Sequence, residues 1–157
     1  KMKRIAVIRI RGEVHVDRDI LITLKMLRLF KKHNCVIVPD TPHYVGMINK
    51  VKDHVTWGEI DEPTLKLLLE KRARLVGKHK LTNDYLKDKL KVDVDHLAKE
   101  IFSGSKEIKD IPGIKLFFKL HPPLHGFEHG GIKQPFSLGG SLGYRKETIN
   151  DLLRRMV

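Results

Sequence analysis

The stretch Asp40-Thr41-Pro42-His43-Tyr44-Val45-Gly46-Met47-Ile48-Asn49-Lys50-Val51 is the densest local signal in the chain. The apolar run at residues 35–38 stops at Pro39, and Asp40 or Thr41 can cap a helix that Pro42 opens. Proline suits that first position, because its missing N–H is a donor that would have no partner within the helix. Val45, Ile48 and Val51 recur at helical spacing, joined by Tyr44 through Ile48. Asn49, Lys50 and Lys52 put polar and positive groups at the end, where the last carbonyls favour them. Gly46 interrupts the pattern, at about 1 kcal/mol relative to alanine. Close approach of another backbone is the reading that offsets this penalty.

Around this stretch the first sixty residues read strand, helix, strand, helix, strand. Residues 5–11 are a branched strand with Ala6, Ile8 and Ile10 on one face. Ile5, Val7, Arg9 and Arg11 occupy the other face, which turns basic beside Gly12. Those arginines either decorate the surface or reach for phosphate. Asp17 caps a helix expected to run to about His33, with Ile20, Thr23, Leu24, Leu27 and Phe30 on one stripe. Arg18, Lys25, Arg28 and Lys32 lie on another side, an arrangement that ordinarily marks a solvated face. Residues 54–60 form a third strand, with Val55 and Trp57 on one side. Strand–helix alternation with such short connections suits a compact sheet covered by helices. An RNA-recognition sheet that stacks bases is disfavoured, because residues 5–11 carry no aromatic side chain.

The rest of the chain is helical and then irregular. A third helix begins at Asp61-Glu62-Pro63, buries Leu65, Leu68, Leu69 and Leu75, and ends at Gly77. After the basic link 78–80, Thr82 caps a helix with Tyr85, Leu86 and Leu90. Asp93 caps another, with Val94, Leu97, Ala98, Ile101 and Phe102, that Gly104 ends. These two resemble a helix-turn-helix only weakly, since the would-be reading helix has nearly balanced charge. A turn at Ile111-Pro112-Gly113 leads into residues 114–120, the clearest apolar alternation in the chain. A glycine-rich loop follows at 121–145, then a final helix at 147–156 with Ile149, Leu152, Leu153 and Met156 on its packing stripe. A loop of that length in a compact domain is ordinarily functional or mobile.

Composition narrows the function. Of 157 residues 41% are hydrophobic and only 7 are proline, which argues for a folded protein of one sizeable domain, or a small domain with an elaboration. There is no apolar run of bilayer length and no signal-peptide layout. The lone Cys35 excludes an internal disulfide or a cysteine zinc site and reads as a small buried hydrophobe. The net charge is +12, distributed as +6 over residues 1–60, +2 over 61–114 and +4 over 115–157. An excess of this size favours a polyanion, whose condensed counterions are released on binding.

Chemistry-bearing constellations are few. His121, His125, Glu128 and His129 invite a metal reading, but Pro122, Pro123, Gly126 and Gly130 oppose the helix that would hold two histidines on one face. Gly139-Gly140-Ser141-Leu142-Gly143 resembles a phosphate cradle, without the Lys-Ser/Thr that a nucleotide loop requires. A glycine-rich loop lying along an RNA backbone fits better. No nucleophile–base–acid set and no paired carboxylates stand out, so an enzyme has no positive support.

The run Thr41-Pro42-His43-Tyr44-Val45-Gly46-Met47-Ile48-Asn49-Lys50-Val51 resembles the signature of a large-subunit ribosomal protein family, called L-thirty in bacteria and L-seven in eukaryotes. Arg11-Gly12-Glu13-Val14 and Leu120-His121-Pro122-Pro123, with the later Gly139–Gly143 run, resemble its archaeal branch. The similarity spans essentially the whole chain, whereas bacterial members would match only about residues 3–60. It begins at Lys1 rather than methionine, which suggests a trimmed or partly ordered N-terminus.

This resemblance implies an α+β fold: a three-stranded antiparallel sheet in the order 3-1-2 within a βαβαβ core (1–60), with two helices on one side. Residues 61–157 would form a mostly helical second lobe with one added strand at 114–120, the long loop 121–145 and a C-terminal helix folding back on the core. It implies a non-enzymatic constituent of the cytoplasmic ribosome that binds large-subunit ribosomal RNA, including a region near 5S rRNA, beside neighbouring ribosomal proteins. It implies no cofactor, no membrane and no small-molecule substrate. Charge and loop position place RNA contacts at Arg4, Arg9, Arg11, Gly12, Thr41, Asn49, Lys50, Lys52, Lys115, Lys119, His121, His125, Lys133, Gly139, Gly140, Arg145 and Lys146. The apolar face of residues 40–51 is expected in the core, with only Thr41, Asn49 and Lys50 near RNA. Alternatives are a metal-dependent RNA-processing enzyme using His121, His125 and His129, or an RNA-binding protein acting off the ribosome.

Overall fold

A computed structural model describes residues 3–77, 79–111 and 113–157. Lys1, Lys78 and Pro112 lie outside the described residues, and with them the start of the chain and parts of the expected link and turn.

The order is β1 (Arg4–Arg9), α1 (Arg18–Met26), β2 (Asn34–Pro39), α2 (Pro42–Lys50), β3 (Val55–Glu59), α3 (Glu62–Lys71), α4 (Asn83–Lys89), α5 (Val94–Ser103), β4 (Phe118–Lys119), β5 (Gly143–Tyr144) and α6 (Ile149–Met156). The sheet has five strands in the order β4-β2-β1-β3-β5. This corrects the expected three-stranded antiparallel sheet. Its three long strands do pair antiparallel around β1, with Val7 opposite Val36 on one side and Trp57 on the other. Two-residue strands extend both edges, and β5 runs parallel to β3, which makes the sheet mixed.

Both faces of β1 are covered, which is why all six of its residues are buried. Ile5 and Val7 join Val36, Val38 and Val55 against Leu24 and Leu27 of the α1 region, Ile48 of α2 and its C-cap Val51. Ala6, Ile8 and Cys35 face the other way, onto Leu65, Leu68, Leu97, Ile101, Leu152 and Met156. Thus α1 and α2 share one side while α3, α5 and α6 cover the other. Each fully buried aliphatic side chain contributes roughly 1.5–3 kcal/mol.

Local chemistry sets the boundaries. Thr41, Asp61, Thr82 and Asp93 each accept a hydrogen bond from the backbone N–H three residues on, at 3.4, 2.9, 3.2 and 2.8 Å. Thr41 rather than Asp40 therefore caps α2. Asp17 sits at the N-cap of α1 without a side-chain bond. The expected helix to His33 stops at Met26, because Arg28 takes a left-handed φ of 64°. The Leu29 N–H then reaches the Leu24 carbonyl and the Arg28 N–H that of Lys25, a Schellman closure with buried Leu24 and Leu29 at its apolar contact.

Two further expectations are corrected. α3 ends at Lys71, so Gly77 does not terminate it; Gly77 lies in a turn between the bridged residues Arg74 and Lys80. The alternating segment 114–120 is not one strand. Ile114 bridges Leu75 and the Lys115 N–H reaches the Arg74 carbonyl, while only Phe118 and Lys119 pair with β2. The alternation itself holds, since Phe118 and Leu120 enter one core and Phe117 packs on the other.

Candidate nucleic-acid interface

The strand registers gather a basic surface at one end of the sheet. β1 finishes there with Arg9, and Arg11 beyond it donates to the Asp53 carbonyl at 3.3 Å, just after the end of α2. Asn49, Lys50 and Lys52 are exposed at that corner. β2 starts at the same end, where the His33 N–H meets the Arg9 carbonyl, and Asn34 is opposite Lys119 of β4. Lys119 is exposed, as are Lys31 and Lys32 in the turn that enters β2. The C-terminus of α6 arrives here too, its Met156 carbonyl accepting from the His121 N–H. The glycine-rich loop enters the sheet at this end through Gly143, opposite Thr56 of β3.

Of the sequence-derived candidates, Arg11, Gly12, Asn49, Lys50, Lys52, Lys119 and His121 are brought together. Both His121 ring nitrogens face carbonyls, at 2.6 Å from that of Pro122 and 2.8 Å from that of Val157. His125 is exposed, on a segment whose Leu124 and Gly126 carbonyls accept from Arg155. Lys133 and Gly139 lie exposed on the loop. Lys115 is tied to the extension through Arg74, and the exposed Lys146 lies beside Gly58, away from the basic end. Thr41 stands at the opposite end of α2, its hydroxyl occupied as the cap.

Three arginines leave the candidate set because the fold has taken them up. Arg4, 5% exposed, donates through Nε to the Ile101 carbonyl at 3.0 Å, binding β1 to the end of α5. Arg9, 2% exposed, donates to the carbonyls of Arg11 and Leu29, both at 2.9 Å, and burial lowers its pKa despite the opposing charge of Glu13. Arg145, also 2% exposed, is the hub of the long loop. Its guanidinium pairs with the Glu128 carboxylate, donates to Thr56 Oγ1 at 2.7 Å and the Ser141 carbonyl at 3.0 Å, and stacks on the Phe136 ring at 4.9 Å. Burial by itself raises the Glu128 pKa, but hydrogen bonds from Arg145 and Ser141, a backbone N–H and the Arg145 charge outweigh it and hold the carboxyl at about 2.

The loop is therefore a built element. The Gly130 N–H reaches the Gly139 carbonyl, and Gly140 is buried where a Cβ would lie 2.1 Å from the Gln134 carbonyl. Gly140 serves the loop's own packing rather than contact with a ligand. With Glu128 committed to Arg145 and both His121 nitrogens facing carbonyls, the imagined histidine metal cluster does not converge. No group of three metal-capable side chains is found among the described residues.

Sequence reasoning missed Lys31 and Lys32. Both fell inside an over-long helix, and Lys32 read as part of a solvated stripe. The Lys31-Lys32-His33 run before a strand was the available signal.

A helix-covered α+β sheet with exposed lysines and arginine gathered at one end defines a polyanion-binding class of protein. The profile of the family described as Ribosomal protein L30p/L7e matches residues 5–55. The chain is 51% identical over 152 residues to large ribosomal subunit protein uL30 of Methanococcus vannielii, covering 97% of this chain and 98% of that protein. It is 47% identical over 148 residues to uL30 of Methanopyrus kandleri, covering 94% and 99%, and 48% identical over 152 residues to uL30 of Archaeoglobus fulgidus, covering 96% and 98%. The chain belongs to the uL30 family, in its archaeal branch.

Proposed function

We infer that this protein is a structural, non-enzymatic constituent of the large ribosomal subunit, binding ribosomal RNA beside neighbouring ribosomal proteins in the cytoplasm. The observation that carries this reading is near-half identity to uL30 proteins over almost the entire chain. The basic end of the sheet supplies the surface: Arg11, Lys31, Lys32, Lys50, Lys52 and Lys119 are the cations best placed to meet phosphates. His121, His125, Lys133 and Gly139 supply further contacts along the loop side, with Lys115 and Lys146 peripheral. The finer placement near the 5S RNA rests on the family resemblance, as does the division into a shared core at 1–60 and an archaeal-type extension at 61–157. That division is supported by the profile, which matches 5–55 while the relatives match throughout.

The test is binding to protein-free large-subunit rRNA across a salt series. With six cations engaged, affinity should fall about a thousandfold from about 50 to about 200 mM salt. A flat salt response overturns the assignment of this surface, and absence of the protein from large-subunit fractions overturns the function.

A further inference from the structure

The puzzle left by the fold is Gly46. Ten of the twelve glycines have a reason within the chain. Seven have a positive φ, and a Cβ at Gly58, Gly130 or Gly140 would fall within 3.0 Å of another residue's backbone. Gly12 and Gly46 have neither: their φ is ordinary and a Cβ would meet nothing within 4 Å. Gly12 lies in irregular backbone, where glycine needs no justification. Gly46 sits in the middle of α2, where alanine would fit and would favour the helix. Among the described residues none supplies the expected backbone neighbour.

We infer that a ribosomal RNA strand lays its sugar–phosphate backbone directly on the outer face of α2, seated at Gly46. This rests on the functional reading above and specifies a contact that reading does not include. The helix buries Ile48 and partly buries Tyr44, Val45 and Met47, while His43, Gly46, Asn49 and Lys50 are exposed at spacings of three and four. They form one outer stripe. It carries no acidic group between the flanking Asp40 and Asp53, and its C-terminal end runs into Lys50, Lys52 and Arg11. A strand following this stripe continues onto the basic end of the sheet without crossing like charge. Asn49 offers hydrogen bonds to sugar and phosphate oxygens, Lys50 offers charge, and a missing side chain lets a backbone come close.

The proposal makes stability and binding move in opposite directions. Gly46→Ala and Gly46→Gln should raise Tm by about 2–4 °C, because both residues favour a helix and neither meets an obstacle. Both should weaken binding to protein-free large-subunit rRNA at fixed salt, by about tenfold for Ala and more for Gln. The slope of log affinity against log salt should stay at the wild-type value for both, since no cation is lost, whereas Lys50→Gln should make it shallower by about one unit. Wild-type affinity in both Gly46 variants overturns the proposal and leaves the functional reading standing. A lowered Tm overturns it by showing an intramolecular need for Gly46. Normal binding to naked rRNA with failure to enter large subunits also overturns it, in favour of a protein neighbour on this face. Failure of the wild-type protein to bind rRNA removes both this inference and the reading beneath it.

Discussion

Arg145 carries its charge inside the protein, and Glu128 is what compensates it. Breaking a buried ion pair from one side leaves the other charge unmatched, so Glu128→Gln should cost about 3 kcal/mol at neutral pH by chemical denaturation. The pH dependence has a definite sign. A carboxyl held at about 2 in the folded state, against an ordinary 4.5, contributes stability that is complete above 4.5 and lost as pH falls towards 2. The stability gap between wild type and Glu128→Gln should therefore close between about pH 5 and pH 2. A gap unchanged across that window would contradict the pairing. At this scale the sequence revealed what is local: Thr82 and Asp93 were legible as caps, Thr41 as one of two candidates and Asp61 as the start of a helix, because a cap bonds three residues away. It concealed the roles of Arg4, Arg9 and Arg145, whose partners at Ile101, Leu29 and Glu128 lie far along the chain. A cation near a loop reads as surface until the fold supplies its acceptors.

Elements were legible where their ends carried ordinary signals. α2 and α5 match the sequence reading closely, one opened by Thr41-Pro42 and the other closed by Gly104 at φ 91°. α1 does not, because its left-handed closing residue is Arg28 rather than glycine. β5 escaped notice because two residues carry no periodicity, whereas β4 is the short paired part of the strand expected at 114–120; the pairing of both depends on where distant segments dock. Gly58 in β3 is the joint for one such docking. A Cβ there would lie 2.0 Å from the Lys146 carbonyl and 2.9 Å from the Ile149 side chain, where the turn into α6 crosses the sheet. Gly58→Ala should destabilise the protein by about 3 kcal/mol, with amide exchange accelerating first in α6. Uniform acceleration throughout the chain would mean that α6 does not depend on this joint.

On the scale of the whole molecule, residues beyond the first sixty complete the core. Ala6, Ile8 and Cys35 of the sheet meet Leu65, Leu97, Leu152 and Met156 of the extension. Cys35 reports on that closure, being fully buried with its thiol pKa pushed up by desolvation. The intact protein should resist thiol alkylation under native conditions, whereas a fragment of residues 1–60 should react readily. Equal protection in the fragment would show that the extension is dispensable for covering that face. The added edge strands bear on a different problem, the interval before a newly made chain finds its RNA. A bare β2-β1-β3 sheet would present two long rows of unpaired N–H and C=O groups to every other copy in solution. β4 takes up the start of β2 and places the charged Lys119 outermost; β5 takes up the middle of β3 and brings the self-bonded loop with it. The same segments that enlarge the fold thus cover part of each edge that would otherwise be open to edge-to-edge pairing between copies.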